Sequence, residues 1–217
     1  MVKVLVTGSE GFIGSNLVHL LSERNFEVVP FDKRFNLDIT DEGDLRGFMK
    51  GCDYVYNFAA ISGIDACLDD PELAYEVNVV GARTVVEVAT RLKCKPILFS
   101  SFAAKGLTLY GETKREMEKE NEKEAVILRM ANVFGGLNYK TLKPNNFISR
   151  ISTDRPIRIF EGVGTRDFVH MKFVLDWCLK AMEKPFGIYE VATGYQVPIE
   201  TVALIASVIR DVEVKYE

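Results

Sequence analysis

Residues 2–14 read VKVLVTGSEGFIG, a β-branched run followed by three glycines at intervals of three. The run predicts a buried strand, and the apolar spacing from residue 12 onward predicts a helix directly after it. Gly8 permits a tight turn, Gly11 lets backbone N–H groups approach a pyrophosphate, and Gly14 lets helix and strand pack closely. The helix N-terminus adds N–H donors and a favourable dipole for phosphates. The predicted cofactor-binding residues of this turn are Gly8, Gly11, Phe12, Ile13 and Gly14.

Strand and helix patterns alternate along most of the chain. Such alternation predicts βαβ units, hence an α/β protein with a doubly wound parallel sheet of the Rossmann type and helices on both faces. The predicted strands cover residues 2–6, 27–31, 53–60, 96–100, 125–129, 157–160 and 187–192. The predicted helices cover residues 12–24, 41–49, 71–92, 110–124, 145–152, 171–183 and 199–210.

An acidic residue, Asp32, follows the second predicted strand. A carboxylate at this position accepts hydrogen bonds from the adenosine ribose hydroxyls of a dinucleotide. Lys33 and Arg34 come next, and two interpretations of them stay open: they favour the 2′-phosphate of NADP, or they are solvated loop charges. Since Asp32 would repel that phosphate, the sequence favours NAD as the cofactor, with Asp32 and Lys33 among its contacts.

Tyr110 and Lys114 stand four residues apart on a predicted helix, and therefore on one face of it. A phenol with an ordinary pKa near ~10 is a poor base at neutral pH. An adjacent cation, together with a positively charged nicotinamide, would stabilise the phenolate. The same spacing occurs by chance on surface helices, but here a Gly-rich turn precedes it and a strand ends in Ser100-Ser101. We therefore expect Tyr110, Lys114 and Ser101, with Ser100 as the alternative serine, to be catalytic.

The chain resembles the extended short-chain dehydrogenase/reductase family, in its NAD-dependent epimerase/dehydratase branch that acts on nucleotide sugars. The resemblance runs over nearly the whole chain, and its motifs occur in the family's order. The matching segments are TGSEGFIG (7–14), LDI (37–39), NFAA (57–60), DPELAYEVNVVG (70–81), YGETKREME (110–118), LRMANVFG (128–135) and GTRDFVH (164–170).

The resemblance implies further site residues and a function. Cofactor contacts are implied for Asp38, Ile39, Phe58, Ala59, Ala60, Asn78, Tyr110 and Lys114, and substrate contacts for Ser101, Asn132 and Arg166. Structural alternatives stay open for three of them: Asn78 as a tie between backbone segments, Asn132 as a turn cap, and Arg166 as an ion-pair partner of Asp167. The implied function is an NAD-dependent nucleotide-sugar epimerase similar to UDP-glucose 4-epimerases. The alternatives are a reductase or dehydrogenase of a nucleotide sugar and a non-catalytic dinucleotide-binding protein.

Three features depart from the family pattern. The connection from Ser101 to Tyr110 is shorter than usual, although nine extended residues still span up to ~30 Å. The sequence stops at Glu217, where relatives continue, so we expect a Rossmann core over residues 1–135 and a small, shortened C-terminal substrate lobe over residues 136–217. Phe102 and Ala103 occupy the positions where dehydratases carry an acidic pair, which argues against elimination of water.

Composition excludes several other classes of protein. The 217 residues carry a formal net charge of −4 with no basic block, which argues against nucleic acid or anionic membrane as partners. No apolar run approaches membrane-spanning length, and no leader sequence is evident, so a cytoplasmic protein with reduced cysteines is expected. Two histidines and four scattered cysteines predict no metal site. A homodimer is predicted on helix 71–92, whose apolar residues spread wider than one stripe: Leu73, Val77, Val80, Val85, Val88 and Leu92.

Overall fold

The computed structural model describes residues 1–136, 156–159 and 164–216. Six of the strands form one sheet in the order β10-β5-β4-β3-β1-β2, and every neighbouring pair in it is parallel. The predicted α/β class and doubly wound parallel sheet are therefore confirmed. The strands of this sheet are β1 (Lys3–Thr7), β2 (Glu27–Phe31), β3 (Tyr54–Asn57), β4 (Lys95–Ser101), β5 (Val126–Met130) and β10 (Gly187–Val191).

Helices cover both faces of this sheet. Successive residues of its strands point to opposite sides, so each face has apolar side chains that the helices bury. Val4 and Val6 pack with Leu17 in one core cluster, whereas Leu5 packs with Val85 in another. The helices are α1 (Phe12–Glu23), α2 (Glu42–Met49), α3 (Ile64–Asp69), α4 (Pro71–Tyr75), α5 (Ala82–Leu92), α6 (Leu109–Asn121), α7 (Met171–Ala181) and α8 (Ile199–Arg210).

Short strands form three two-stranded pairings beside the main sheet. The strand pairs are β6 with β9, β7 with β12, and β8 with β11. Their ranges are β6 (Asn132–Phe134), β7 (Ile157–Ile159), β8 (Thr165–Arg166), β9 (Phe168–His170), β11 (Val197–Pro198) and β12 (Val214–Tyr216). The sequence predicts only β7 among these. The helix predicted at residues 145–152 lies outside the described residues, and the division at residue 135 stays a prediction.

The predicted helix 71–92 contains a π-helical turn, Glu76–Gly81, between α4 and α5. Asp70 caps its start by accepting a hydrogen bond from the Leu73 amide (3.0 Å). Gly81 lies where the helix crosses Ile39, and a Cβ there would lie 2.7 Å from Ile39 Cδ1, so the Ile39 side chain would have to shift. Helix α3, just before Asp70, escaped prediction because it is only six residues long.

Four of the six apolar residues behind the predicted homodimer pack within the single chain. Val85 and Val88 belong to the cluster under β1 and β3, and Val77 and Leu92 pack against that cluster. Val86 belongs to a separate cluster that contains Met117 of α6. Much of the apolar surface behind the predicted homodimer thus has an intramolecular explanation, Leu73 and Val80 are half-buried, and the homodimer itself stays a prediction. Within the part of the chain that the structure describes, none of the helices combines the length and apolar character needed to cross a bilayer.

Candidate active site

The Gly-rich turn joins β1 to α1 through two close backbone approaches. Gly8 has φ +61°, and a Cβ on it would lie 2.8 Å from the amide nitrogen of Ala59. A Cβ on Gly14 would lie 2.1 Å from the Gly8 carbonyl oxygen. Gly11 donates its N–H to that same oxygen (2.9 Å) and stands directly before α1. Glycine is therefore needed at both Gly8 and Gly14 for this packing.

A cavity of about 260 Å³ opens beside the turn, at the carboxyl ends of the strands β1 to β3. Ligands of open parallel sheets bind at this edge. The predicted cofactor residues that line the cavity are Gly8, Gly11, Asp32, Lys33, Asp38, Ile39, Phe58, Ala59 and Ala60, joined by Glu10, Phe31, Arg34, Leu37, Ile61 and Val77. The side chains of Phe12 and Ile13 instead pack against the core, so only their backbone N–H groups are candidates for phosphate contacts.

Five charged side chains surround the mouth of the cavity. Asp32 accepts hydrogen bonds from the amides of Glu10 and Arg34, each at 3.0 Å, so its carboxylate is held in place. The Arg34 guanidinium lies 3.7 Å from the Glu10 carboxylate, and the Lys33 ammonium lies 3.9 Å from the Asp38 carboxylate. Both cations that could favour a 2′-phosphate are therefore close to carboxylates.

The three predicted catalytic residues lie together where β4 ends and α6 begins. The hydroxyls of Ser101 and Tyr110 are hydrogen-bonded. The Lys114 ammonium donates to the Phe99 carbonyl oxygen (3.0 Å) and lies 6.0 Å from the centroid of the Tyr110 ring. Phe99 also stacks on Phe58, with 3.8 Å between ring centroids, and this contact joins the trio to the cavity wall.

Burial dominates the protonation of the Tyr-Lys pair. It raises the pKa of Tyr110 to about 12, and the Ser101 hydrogen bond opposes that rise. Burial also lowers the pKa of Lys114 to about 8, against the electrostatic influence of Cys67 and Glu118. In the protein alone burial sets the raised pKa of Tyr110, and the expectation that Lys114 and a positively charged nicotinamide together stabilise the phenolate stays a prediction.

Two serines at the end of β4 differ in their surroundings. Ser100 is buried, and its Oγ has no hydrogen-bond partner among the described residues. Ser101 is half-buried, bonds Tyr110, and accepts a hydrogen bond from the Ala103 amide (3.1 Å). The contacts of Ser101 with the Tyr110 hydroxyl make it the better candidate of the two.

Asn78 is buried in the π-helical turn and its amide group is fully engaged. Its Oδ1 accepts from the Ile61 amide (2.9 Å), and its Nδ2 donates to the Ile61 carbonyl (2.9 Å) and to Thr113 Oγ1 (3.1 Å). These contacts match the structural alternative for Asn78, a tie between backbone segments. The tie connects the cavity wall at Ile61 to the helix that carries Tyr110 and Lys114.

Of the three predicted substrate residues, Asn132 and Arg166 are exposed, whereas Ser101 is half-buried. Asn132 lies just beyond the carboxyl end of β5, at the sheet edge where β4 ends in Ser101, and donates to the Asp167 carbonyl (3.2 Å). Arg166 donates to the Thr165 carbonyl (2.8 Å). The Asp167 carboxylate accepts hydrogen bonds from the amides of Thr193 and Gly194 and from the Thr193 hydroxyl.

Sequence reasoning missed two residues that shape the site. The Thr7 hydroxyl donates to Asn57 Oδ1 (2.5 Å) and accepts from the Ala59 amide (3.3 Å), which fixes the strand that lines the cavity. A Cβ on Gly111 would lie 2.1 Å from the Ala103 carbonyl oxygen. Both residues stand inside quoted motifs, but their partners become visible only in the fold. Among the described residues, no group of three or more His, Cys, Asp or Glu side chains is placed to hold a metal ion.

Comparison with known proteins gives one family match and several relatives. The model of the NAD dependent epimerase/dehydratase family matches residues 4–192. The spore coat polysaccharide biosynthesis protein SpsK of Bacillus subtilis is 27% identical over 218 residues, covering 89% of this chain and 74% of SpsK. The UDP-glucose 4-epimerase of Pisum sativum is 28% identical over 256 residues, covering 85% of this chain and 72% of that enzyme.

Two further comparisons are with a curated dehydrogenase and with a solved structure. The GDP-6-deoxy-D-talose 4-dehydrogenase of Aggregatibacter actinomycetemcomitans is 24% identical over 210 residues, covering 84% of this chain and 71% of that enzyme. Among solved structures, the dTDP-glucose 4,6-dehydratase DesIV of Streptomyces venezuelae, with NAD and TYD bound, superposes with a TM-score of 0.88. The superposition covers 99% of this chain and 84% of DesIV at 20% identity, and it shows a shared fold.

Proposed function

Because the chain belongs to the NAD-dependent epimerase/dehydratase family, we propose that it is an NAD-dependent nucleotide-sugar epimerase similar to UDP-glucose 4-epimerases. In this proposal hydride is transferred transiently and Tyr110 serves as both acid and base. The observation that carries it is the hydrogen-bonded Ser101–Tyr110 pair with Lys114 beside it, joined through Phe99 and Phe58 to the cavity. The pea epimerase, 28% identical, supports the nucleotide-sugar substrate class.

The residues around the cavity fit the adenosine and pyrophosphate parts of NAD. Gly8 and Gly14 leave no room for a Cβ, so the start of α1 can present backbone N–H groups to a pyrophosphate. Asp32 offers carboxylate oxygens to the ribose, and Asp38 with Ile39 would flank the adenine. Lys114 would hold the nicotinamide ribose. When bound, NAD supplies the site that accepts the hydride and returns it.

The protein's own groups would handle the proton. Tyr110 Oη would take the proton of the sugar hydroxyl and give it back, while Ser101 holds the same oxygen by a hydrogen bond. A phenol with a pKa of about 12 needs further positive charge nearby to act at neutral pH. The Lys114 ammonium, whose pKa of about 8 keeps it charged at neutral pH, already stands beside the phenol, and the oxidised nicotinamide of bound NAD would add a second positive charge. Asn132 and Arg166 are the proposed contacts of the nucleotide-sugar diphosphate.

The surroundings of Ser101 favour epimerisation over the dehydration that DesIV performs. Elimination of water needs a general acid and a general base at the leaving hydroxyl. Phe102 and Ala103 follow Ser101, and neither side chain donates or accepts a proton. The Phe102 ring packs against the core, with the Lys105 ammonium 4.8 Å from its centroid.

Incubation with NAD and a panel of nucleotide sugars, UDP-glucose included, tests the proposal. The expected result is formation of the epimer without net release of NADH. A 4-keto-6-deoxy product would contradict the argument from Phe102 and Ala103. Binding of NAD without turnover of any sugar in the panel would favour the alternative of a dinucleotide-binding protein without catalysis. The presence of both Tyr110 and Lys114 argues against that alternative.

A one-way dehydrogenase or reductase of a nucleotide sugar is the second candidate function. The 24% identity to a GDP-6-deoxy-D-talose 4-dehydrogenase favours it, because that relative is a dehydrogenase by name. The same Ser101, Tyr110 and Lys114 would serve either reaction. The two functions differ in one readout: stoichiometric NADH formation with a keto sugar indicates the dehydrogenase.

A further inference from the structure

The connection between Ser101 and Tyr110 is a compact loop rather than an open one. It begins with a 3₁₀ turn, Phe102–Lys105, and ends at Thr108, whose hydroxyl caps α6 by accepting from the Gly111 amide (3.1 Å). The two hydroxyls that the proposed reaction uses stand at the two ends of this loop. Their mutual distance therefore depends on how the loop is held.

One arginine holds the loop from its outer side. Arg115, directly after Lys114 on α6, donates through Nη1 to the carbonyl oxygens of Ala104 (3.1 Å) and Gly106 (2.8 Å). Hydrogen bonds from a charged donor are about twice as strong as neutral ones. Because Arg115 is on the same helix as Tyr110 and Lys114, these bonds couple the loop directly to the catalytic helix.

On its inner side, the backbone of the loop packs directly against the backbone of α6 at Gly111. The Ala103 carbonyl oxygen would lie 2.1 Å from a Cβ on Gly111, and the Ala103 amide donates to Ser101 Oγ. At the end of the 3₁₀ turn, Lys105 forms an ion pair with Glu190 (2.6 Å). The loop is thus packed against α6 at Gly111 and tied to β10 through Glu190, and Arg115 is the side chain of α6 that hydrogen-bonds its backbone.

We propose that Arg115 is a positioning residue, which clamps the loop to α6 and so keeps the hydroxyls of Ser101 and Tyr110 within hydrogen-bonding distance of each other. The inference rests on the proposed function for its catalytic consequence. Displacement of reacting groups by about 1 Å can cost on the order of 100-fold in rate. Loss of the clamp should therefore act on the chemical step and leave the cavity intact.

The test compares Arg115→Met with Arg115→Lys and with a matched control. Arg83→Met is the control, because Arg83 makes two hydrogen bonds to Glu120 at the other end of α6 and contacts no part of the loop. With UDP-glucose as the probe, Arg115→Met should lower kcat by about tenfold or more, while KM and the Kd of NAD change by less than about twofold. Arg115→Lys should recover part of kcat, because lysine retains a charged donor, and Arg83→Met should match the wild type.

Amide hydrogen exchange of residues 102–108 is a second measurement, and it needs no substrate. Arg115→Met should speed amide exchange in this segment, whereas Arg83→Met should leave it unchanged. Wild-type kcat together with wild-type exchange in folded Arg115→Met would overturn the inference while the proposed function stands. Faster exchange confined to Arg115→Met, with no turnover by the wild type, would support the clamp and count against the proposed function. If Arg115→Met does not fold, Arg115→Lys alone decides: a kcat below the wild type together with faster exchange of residues 102–108 supports the clamp, and wild-type exchange in this segment overturns it.

Discussion

Tyr110 is the residue on which the proposed chemistry depends most. Its hydroxyl bonds Ser101, so Tyr110→Phe removes the proton carrier and leaves the ring in place. We expect kcat to fall by about 1,000-fold or more, with the Kd of NAD within about twofold of the wild type, since the lost group acts in the transition state. Epimer formation and calorimetric titration measure the two effects. The control is Tyr189→Phe, which removes a hydroxyl that donates to the remote Pro185 carbonyl. A Tyr110→Phe variant that keeps a tenth of normal activity would contradict the assignment.

Asp32 is expected to select NAD over NADP. Its carboxylate is fixed by the Glu10 and Arg34 amides and would both accept from ribose hydroxyls and repel a phosphate. Asp32→Ala should weaken NAD binding by about tenfold, the value of one or two charged hydrogen bonds. NADP binding should weaken less or become tighter. Titration of both oxidised cofactors measures this, and a wild-type protein that binds NADP as tightly as NAD would show that Lys33 and Arg34 dominate.

The pKa of Lys114 predicts how NAD affinity varies with pH. Burial holds this pKa at about 8, so the ammonium predominates below pH 8 and the neutral amine above it. A charged donor binds ribose oxygens more strongly than a neutral one. The Kd of NAD should therefore rise about threefold or more between pH 7 and pH 9, and this rise should be absent in Lys114→Met. An equal rise in both proteins would assign the effect to another group.

At the scale of single elements, Gly111 lets α6 rest on the 3₁₀ turn that follows Ser101. A Cβ there would meet the Ala103 backbone at 2.1 Å, and neither partner is a flexible side-chain end. Gly111→Ala should lower the free energy of unfolding by about 1–3 kcal/mol and reduce kcat. Gly47→Ala is the matched control: Gly47 is also helical but has open space around its Cβ position, so it should gain roughly 0.5–1 kcal/mol. Urea unfolding of both variants measures the difference, and equal effects would contradict the contact argument.

Elements with strong local signals could be predicted from the sequence. Helix α1 and strand β2 match their predictions within a residue, and the helix predicted over residues 71–92 begins at Pro71, the first-turn proline that indicates its start. The short strands, such as β8 with two residues, are too short to show a period. The predicted strand 53–60 ends at Asn57 in the structure. Beyond it the Ala59 amide donates to the Thr7 hydroxyl and packs closely against Gly8.

In the candidate site too, some residues could be predicted from the sequence, whereas their contacts could not. Gly8, Asp32 and Tyr110 stand in motifs whose spacing carries their chemistry, and the fold brings them to one edge of the sheet. The partners of Asn78 and Arg115 are far away in sequence or are backbone oxygens, for which no pattern of side chains gives a signal. The rise in the Tyr110 pKa also depends on burial, which only the packed structure defines.

For the stability of the whole molecule, the buried charge of Lys114 is unfavourable, although the proposed function uses this charge. Its pKa is lower in the folded chain than the ordinary value of 10.5, so the folded state carries an unfavourable buried charge that is fully present below about pH 8 and disappears above about pH 10.5. Lys114→Met should raise the free energy of unfolding at pH 7 by about 1–3 kcal/mol, and the gain should shrink toward pH 10. Urea unfolding at the two pH values tests this, with the exposed Lys119→Met as control. A destabilised Lys114→Met at pH 7 would show that its hydrogen bond to Phe99 outweighs the burial of charge.

The order of strands in the main sheet has a consequence for biosynthesis. Strands β1 to β4 are neighbours and all lie within the first 101 residues, so this unit can assemble early on a ribosome. Strand β10, at the far edge, pairs with β5 only after residue 191 has been translated. Glu190 belongs to that late strand and holds both Lys105 and Arg129. A nascent chain therefore has the strands around its Gly-rich turn available well before Glu190, on a strand translated later, can tie down the loop beside Ser101.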